Sequence, residues 1–413
     1  MTPPRLLCIS NGHGEDTIAV RILLALRSRI PTIDLAALPI VGEGHAFLKH
    51  AMPLIGTTKT LPSGGFIYMD SRQLARDLQG GLVQLTRSQL RALKTWARAG
   101  GVVLAVGDLV AMAFAWWSGL PYSVVGTAKS AYYLRDEQGS LPGLPWYAGW
   151  SGSIYLPWER WLMARDRCRA VIVRDELTAQ ELQQLGLSFV YTGNPMMDGL
   201  APTAQAASLR PPTQAETGLT VLLLPGSRAP EAYTNWQRIL QAVDSVLQQF
   251  PAHWVHCLAA IAPALALAEL RPALATTGWQ PDSSYPSTHF QKRNSSLVLT
   301  QKAYTDCLHL ADTAIAMAGT ATEQFVGLGK PAFIMPGSGP QFTATFAQLQ
   351  TRLLGPSVVL VPDPTGVGRA MEAVFTAPER LAMMQRNGRQ RMGQPGAAEA
   401  IAEILAQRLL IPD

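Results

Sequence analysis

RLLCISNGHGEDTIAVRILLALRSR, residues 5–29, sets the reading of the whole chain. A short apolar run, 5–10, meets a glycine-bearing turn, Asn11–Gly14, and then an amphipathic segment, 15–29. A run this short before a glycine turn suits a strand, and the segment after it suits a helix. The unit recurs: runs 34–40, 101–106, 170–174 and 188–191 alternate with helical segments 73–98, 109–118 and 175–185. It restarts with runs 219–224, 253–261, 296–300, 313–317, 331–335 and 357–361 between helices at 230–249, 263–275, 303–311, 320–328 and 341–353. A polar stretch, 280–295, interrupts it, and helices at 366–376, 378–391 and 396–410 close the chain. Short uncut apolar runs separated by helices mark parallel strands covered on both faces. The pattern predicts an α/β fold of doubly wound parallel sheets.

At roughly 100–200 residues per domain, 413 residues suggest two or three domains. The stretch GLAPTAQAASLRPPTQAETG, 199–218, nearly lacks large apolar side chains and reads as a linker. The expected domains are therefore 1–198 and 219–395, with a last helix, 396–413, returning to the first. Two such domains would face each other across a cleft.

Composition narrows the function. Charged residues make up 15% and hydrophobic ones 48%, which excludes extended disorder. Cys8, Cys168, Cys257 and Cys307 lie far apart, without the paired spacing of a zinc site, and read as buried thiols of a reducing compartment. The net charge of +5 contains no lysine or arginine block. That suits anionic ligands and argues against nucleic acid. The start, MTPPRLLCISNGHGED, does not read as a signal peptide, so a cytoplasmic protein is expected. Residues 109–126, LVAMAFAWWSGLPYSVVG, are uncharged and reach the short end of a membrane span. Gly119-Leu120-Pro121 divides them into a helix, 109–118, and a strand, 122–126.

Open α/β sheets bind ligands at the carboxyl ends of their strands, so post-strand loops hold the candidates. Asn11-Gly12-His13-Gly14-Glu15-Asp16 follows the first strand. Its helix N-terminus offers N–H groups, and His13 could serve as general base. Glu15 and Asp16 would equally suit the positive end of the helix dipole. Asp108, the only charge between Gly100 and Lys129, is a candidate base or an N-cap. Pro225-Gly226-Ser227-Arg228 joins a tight turn to a small donor and a guanidinium fork for phosphate. Gly319-Thr320-Ala321-Thr322-Glu323 offers N–H groups and hydroxyls, and Thr320-x-x-Glu323 also has the form of a capping box. Gln341, in Pro336–Gln341, could bond a sugar or start its helix. Segment 142–169 crowds Trp146, Tyr147, Trp150, Tyr155, Trp158 and Trp161 beside Arg160, Arg165, Arg167 and Arg169. Such residues suit a bilayer interface, an acyl groove or an irregular packed insertion.

Two of these motifs carry a family resemblance. Leu224-Pro225-Gly226-Ser227-Arg228, and Ala311-Asp312-x5-Ala318-Gly319 continuing through Glu323, resemble the lipid-A-disaccharide synthases. The resemblance implies the GT-B fold and inverting transfer from a UDP-sugar to a lipid-linked or amphipathic acceptor at the inner membrane face. It implies no metal and no cofactor beyond the donor. Arg228 would contact the donor diphosphate, Gly319–Thr322 would cradle it, and Glu323 would contact the ribose. Gly226, Ser227 and Gln341 complete the donor set. His13 or Asp108 would be the base, with Glu15 and Asp16 beside them. Asn11, Gly12 and Gly14, with Trp146, Trp150, Trp158 and Trp161, would meet the acceptor and membrane. The family's first loop, Ser-Gly-Glu-x-Ser-Gly-Asp, differs from Asn11–Asp16, so the chain reads as a divergent branch whose acceptor need not be a lipid A precursor. The architecture also resembles the nucleotide-sugar 2-epimerases, and a nucleotide-sugar-binding GT-B protein without catalysis is the other alternative.

Overall fold

The computed structural model describes residues 3–58, 81–145, 147–209, 218–283, 288–339 and 342–410. Side chains 13, 207 and 208 lie outside that description, as do Trp146 and Gln341 entirely. The chain divides into two compact units, Met1–Asp198 with Gly393–Asp413, and Gly199–Met392.

The first unit holds a sheet of β1 (Arg5–Ser10), β2 (Asp34–Pro39), β3 (Val102–Gly107), β4 (Tyr122–Gly126), β7 (Cys168–Val173) and β8 (Val190–Thr192). Between β4 and β7 sits a separate short hairpin, β5 (Arg135–Asp136) and β6 (Gly139–Ser140). The sheet order is β2-β1-β3-β4-β7-β8, with every neighbouring pair parallel. Both faces are buried. Leu7 and Ile9 point into a core with Leu85, Leu93, Met112 and Phe114. Leu6 and Cys8 point the other way, into a core with Ile18, Ile22, Ile401 and Leu405. That two-sided burial is why β1 reads as an uninterrupted apolar run. The last helix, Ala397–Arg408, thus packs on the first helix, His13–Arg29. The Asp198 carboxylate accepts the backbone N–H groups of Gly396, Ala397 and Ala398 at 2.5, 3.2 and 2.7 Å.

The uncharged stretch 109–126 forms helix Leu109–Ser118 and β4, separated by Gly119 at φ 87°. Among the described residues no helix is long and apolar enough to cross a membrane. Of the helix expected at 73–98, the described part is Leu82–Ala97, and 73–80 lie outside the described residues.

The second unit's sheet contains β9 (Gly218–Leu224), β10 (Trp254–Ala260), β11 (Gln280–Pro281), β12 (His289–Lys292), β13 (Ser295–Thr300), β14 (Thr313–Ala316), β15 (Ala332–Ile334) and β16 (Val358–Leu360). Its order is β11-β12-β13-β10-β9-β14-β15-β16. The six strands from β13 to β16 are parallel, with the first strand central, which is the Rossmann arrangement. The polar stretch 280–295 adds two antiparallel edge strands, β11 and β12.

The helix expected at 263–275 is shorter. A 3₁₀ turn, Leu267–Leu270, precedes helix Arg271–Thr276. Pro272 lacks an N–H and its ring excludes a helical carbonyl four residues back, so the helix can only begin there. The linker expected at 199–218 also takes a different form where it is described. Thr203 donates its backbone N–H and hydroxyl to Asp306, both at 2.6 Å. His309 reaches the Leu200 carbonyl at 2.7 Å, and His256 reaches that of Leu209 at 2.7 Å. Side-chain bonds to helix Tyr304–Leu310 and to β10 therefore fix residues 199–209 to the second unit.

His256 is 2% exposed, and its Nδ1 lies 2.7 Å from the Ser296 hydroxyl. The Leu209 carbonyl can only accept, so Nε2 carries the proton and Nδ1 accepts from Ser296 in the neutral ring. Burial lowers the His256 pKa below its ordinary value. Its stabilising contribution is present above the unfolded-state pKa of about 6.5 and is lost as pH falls below it, because the unfolded chain takes up the proton first. Urea unfolding of the second unit should show stability declining from pH 7.5 to 5.5 by at most about 1.4 kcal/mol per pH unit from this group. The decline should flatten in His256→Gln.

Candidate functional site

Sheet order decides which loops meet. In the first unit β1 lies beside β3, and Ser10 pairs in register with Val106. The sheet winds in opposite directions from these two strands, so their carboxyl ends form its topological switch point. The loops there are Asn11–Asp16 and Gly107–Asp108, two of the sequence candidates. Gly107 has φ 133°, and a Cβ there would stand 2.9 Å from Asn11 Cγ. Only glycine lets the two loops approach this closely. The Asn11 Oδ1 is buried without a hydrogen-bond partner.

The structure brings Glu15, Asp16 and Asp108 together. Asp16 is 1% exposed, and its Oδ1 accepts from the Ser10 hydroxyl at 2.5 Å, while Oδ2 is buried and unpartnered. Burial pushes its pKa up to about 6, against the lowering effect of Ser10. Glu15 is also raised, first by burial, with Asp108 and Asp16 adding negative charge nearby. The Thr127 hydroxyl reaches Glu15 Oε1 at 3.4 Å. Asp108 caps helix Leu109–Ser118, accepting the Val110 N–H at 2.9 Å. Gly12 is the N-cap of the first helix, with no side-chain cap bond. Asp16 reaches back to β1 instead of capping that helix. Gly14 has open space beyond its Cα, and the His13 side chain is outside the described residues. Ser10 and Thr127 were missed by sequence reasoning. Both sit at or just after a strand's end, the position rule that selected the other candidates.

In the second unit β9 lies beside β14, and Leu224 pairs with Ala316. This switch point joins Pro225–Arg228 to the turn at Met317–Thr320. Gly226 adopts φ 103°, which favours glycine, and a Cβ there would lie 3.3 Å from the Met317 carbonyl. Ser227 and Arg228 are exposed beyond it. Helix Thr320–Gly327 begins with Gly319 as N-cap and no side-chain cap bond. The Thr320–Glu323 capping box is therefore absent, because Thr320 is already the first helical residue and not the cap. Thr320 is exposed, and Ala321 and Glu323 are half-buried. The Thr322 hydroxyl donates to the Ala318 carbonyl at 2.5 Å, so it serves its own helix. What the turn offers an anion is its first-turn N–H groups. Gln350, also missed, holds this turn by donating to the carbonyls of Ala318 and Gly319, both at 3.1 Å.

The aromatic segment splits. Tyr155 and Glu159 are each 1% exposed, and Lys129 of the β4 loop pairs with Glu159 at 2.5 Å. Trp150, Trp158 and Trp161 face outward, at 65%, 50% and 45% exposure. Trp117, 51% exposed, comes from the helix after β3. Trp116 lies 5.6 Å from Trp161 and 6.4 Å from Trp117, ring to ring. Arg165 stacks on Trp161 at 4.3 Å, and Lys94 approaches Trp117 at 5.7 Å.

Comparison with known proteins yields no matching family model and no matching curated protein. Solved structures do match along the whole chain. The calicheamicin glycosyltransferase CalG4 superposes with TM-score 0.60 at 16% identity, covering 98% of this chain and 99% of its own. The MurG of Acinetobacter baumannii gives 0.58 at 14%, covering 98% and 100%. The UDP-GlcNAc 2-epimerase of Neisseria meningitidis, solved with UDP-GlcNAc bound, gives 0.58 at 14%, covering 98% and 100%. The fold is thus GT-B, with two Rossmann-like α/β domains.

The charge on Asp16 has a measurable consequence. A carboxyl raised to about 6 in the folded state stabilises most below its unfolded pKa, and that contribution is lost as pH rises through 6. Asp16→Asn should therefore raise first-unit stability at pH 8, by up to about 3 kcal/mol, and change it little at pH 4. Urea melts at the two pH values check this. Separately, Asp108→Ala should cost about 1 kcal/mol of stability through the lost cap, and Asp108→Ser should restore most of it.

Proposed function

We propose that the protein is an inverting glycosyltransferase, related to the lipid-A-disaccharide synthases, that moves a sugar from a UDP-sugar to a lipid-linked or amphipathic acceptor. The observation that carries this reading is the pair of switch points. One gathers Glu15, Asp16 and Asp108, and the other gathers Gly226, Arg228 and the Gly319 helix start. Carboxylates suit the removal of a proton from an acceptor hydroxyl. A guanidinium with helix N–H groups suits a departing diphosphate. The acceptor oxygen would bond to the anomeric carbon as the bond from that carbon to the diphosphate breaks. The proton would pass to the base, and UDP would leave with the electron pair. Glu15, raised by burial, is suited to that base, with His13 and Asp108 as the other candidates. Glu323 would meet the ribose and Gln341 the sugar. No metal takes part in this scheme.

The membrane part of the proposal rests on Trp117, Trp158 and Trp161 with Lys94 and Arg165. Exposed indoles beside cations suit the headgroup layer of an anionic bilayer. The enzyme would then be cytoplasmic and peripheral at the inner face, near its acceptor. A second reading, a UDP-sugar 2-epimerase, is favoured by the epimerases among the solved structures of the same fold.

A thermal-shift screen against UDP, GDP, CDP, dTDP and AMP tests the donor site, with selective stabilisation by UDP expected. Glu15→Gln should lower transfer by roughly 10²- to 10⁴-fold and spare UDP affinity. Conversion of UDP-GlcNAc to its 2-epimer without any acceptor would replace the transferase by the epimerase. Replacing Trp117, Trp158 and Trp161 together by Ala should weaken flotation with phosphatidylglycerol vesicles by roughly tenfold or more.

A further inference from the structure

Two buried polar side chains in the second unit belong to none of the motifs above. Glu231 opens helix Glu231–Gln249, and Asn235 follows one turn later, so both project from one side of it. They are 8% and 2% exposed. Asn235 Nδ2 donates to the Pro225 carbonyl at 3.1 Å, holding the turn after β9. Its Oδ1 is buried without a partner and faces Gly337, where an added Cβ would stand 3.2 Å away. Glu231 Oε1 accepts the Phe342 N–H at 2.7 Å, and the Phe342 carbonyl accepts from Gly337 N–H at 2.9 Å. A Cβ on Gly339 would collide with the Glu231 carboxyl carbon. One helix face therefore grips the turn after β9 with one residue and closes the loop after β15 with the other.

Burying a carboxylate is costly unless hydrogen bonds offset the lost water. An apolar residue would fill the space at less cost, but it could not fix a backbone N–H in place. We propose that Glu231 and Asn235 are positioning residues that set the separation of the β9 and β15 loops. The mouth of the nucleotide site is thereby preformed before a nucleoside diphosphate enters. The inference rests on the donor-site reading given above. Preforming the loops in the free protein removes an ordering cost from binding. The contribution of Glu231 is its acceptor oxygen, which a Gln side chain also carries.

The test is UDP titration calorimetry on the full chain, with hydrogen exchange of the Phe342 amide. E231A should speed Phe342 exchange and weaken UDP by roughly ten- to hundredfold, the effect of leaving one buried backbone N–H without its acceptor. E231Q should restore both readouts, UDP affinity to within about threefold. G339A, which crowds the same carboxyl, should by itself weaken UDP and add little in the E231A background, since both act through the Glu231 carboxyl. UDP affinity unchanged in E231A and G339A, with Phe342 exchange accelerated, would overturn the inference and leave the donor site standing. Equal weakening in E231Q and E231A would also overturn it. Wild-type protein that binds no UDP would instead overturn the donor reading, and the inference with it.

Discussion

Burial of both faces of each parallel sheet is the constraint on which the rest of this structure depends. With helices on either side, a strand's middle has no room for charge or for water. Leu6 to Ile9 in the first unit and Val221 to Leu224 in the second are at most 2% exposed. Charge is displaced toward the strand ends. Because all neighbouring strands of the first sheet run the same way, those ends collect on one edge. Strand order then selects a single gap in that edge, between β1 and β3, and between β9 and β14 in the second sheet.

The two gaps are filled by opposite chemistry. The first gathers carboxylates that burial raises, Glu15 and Asp16, with the negative charge of Asp108 and Asp16 adding to the rise at Glu15. The second gathers backbone N–H groups and an exposed arginine around two glycine turns. In the proposed reaction the first would take a proton and the second would hold an anion. In both, a glycine at positive φ, Gly107 or Gly226, permits the loops to touch. Helix side chains then fix the loops from behind, with Asn235, Glu231 and Gln350 bonding backbone groups of three post-strand loops.

The fold was legible because periodicity is a local property that two-sided burial writes directly into the sequence. Strands and most helices stand where apolar runs and amphipathic segments placed them. Two of the exceptions have local causes. Pro272 shortened one helix, and Thr320 lies inside its helix where a cap was expected. The linker composition at 199–209 conceals a segment held by Asp306, His309 and His256, residues distant in sequence.

Glu15, Asp108, Gly226 and Gly319 could be selected from sequence because each follows a strand, and the rule for such positions needs no partner. Ser10, Thr127, Glu231, Asn235 and Gln350 could not, because each matters through an atom that it reaches across the fold. The same holds for the indole surface. Trp158 and Trp161 were visible in an aromatic segment, whereas Trp117 joins them only because its helix packs beside theirs. The sequence by itself determined two Rossmann-like halves and the candidate loops at their strand ends, since hydrophobic period and glycine placement act over a few residues. Only the tertiary structure decided which side chains face each loop and which carboxylates share a site, because strand order and helix packing join residues that the chain keeps far apart.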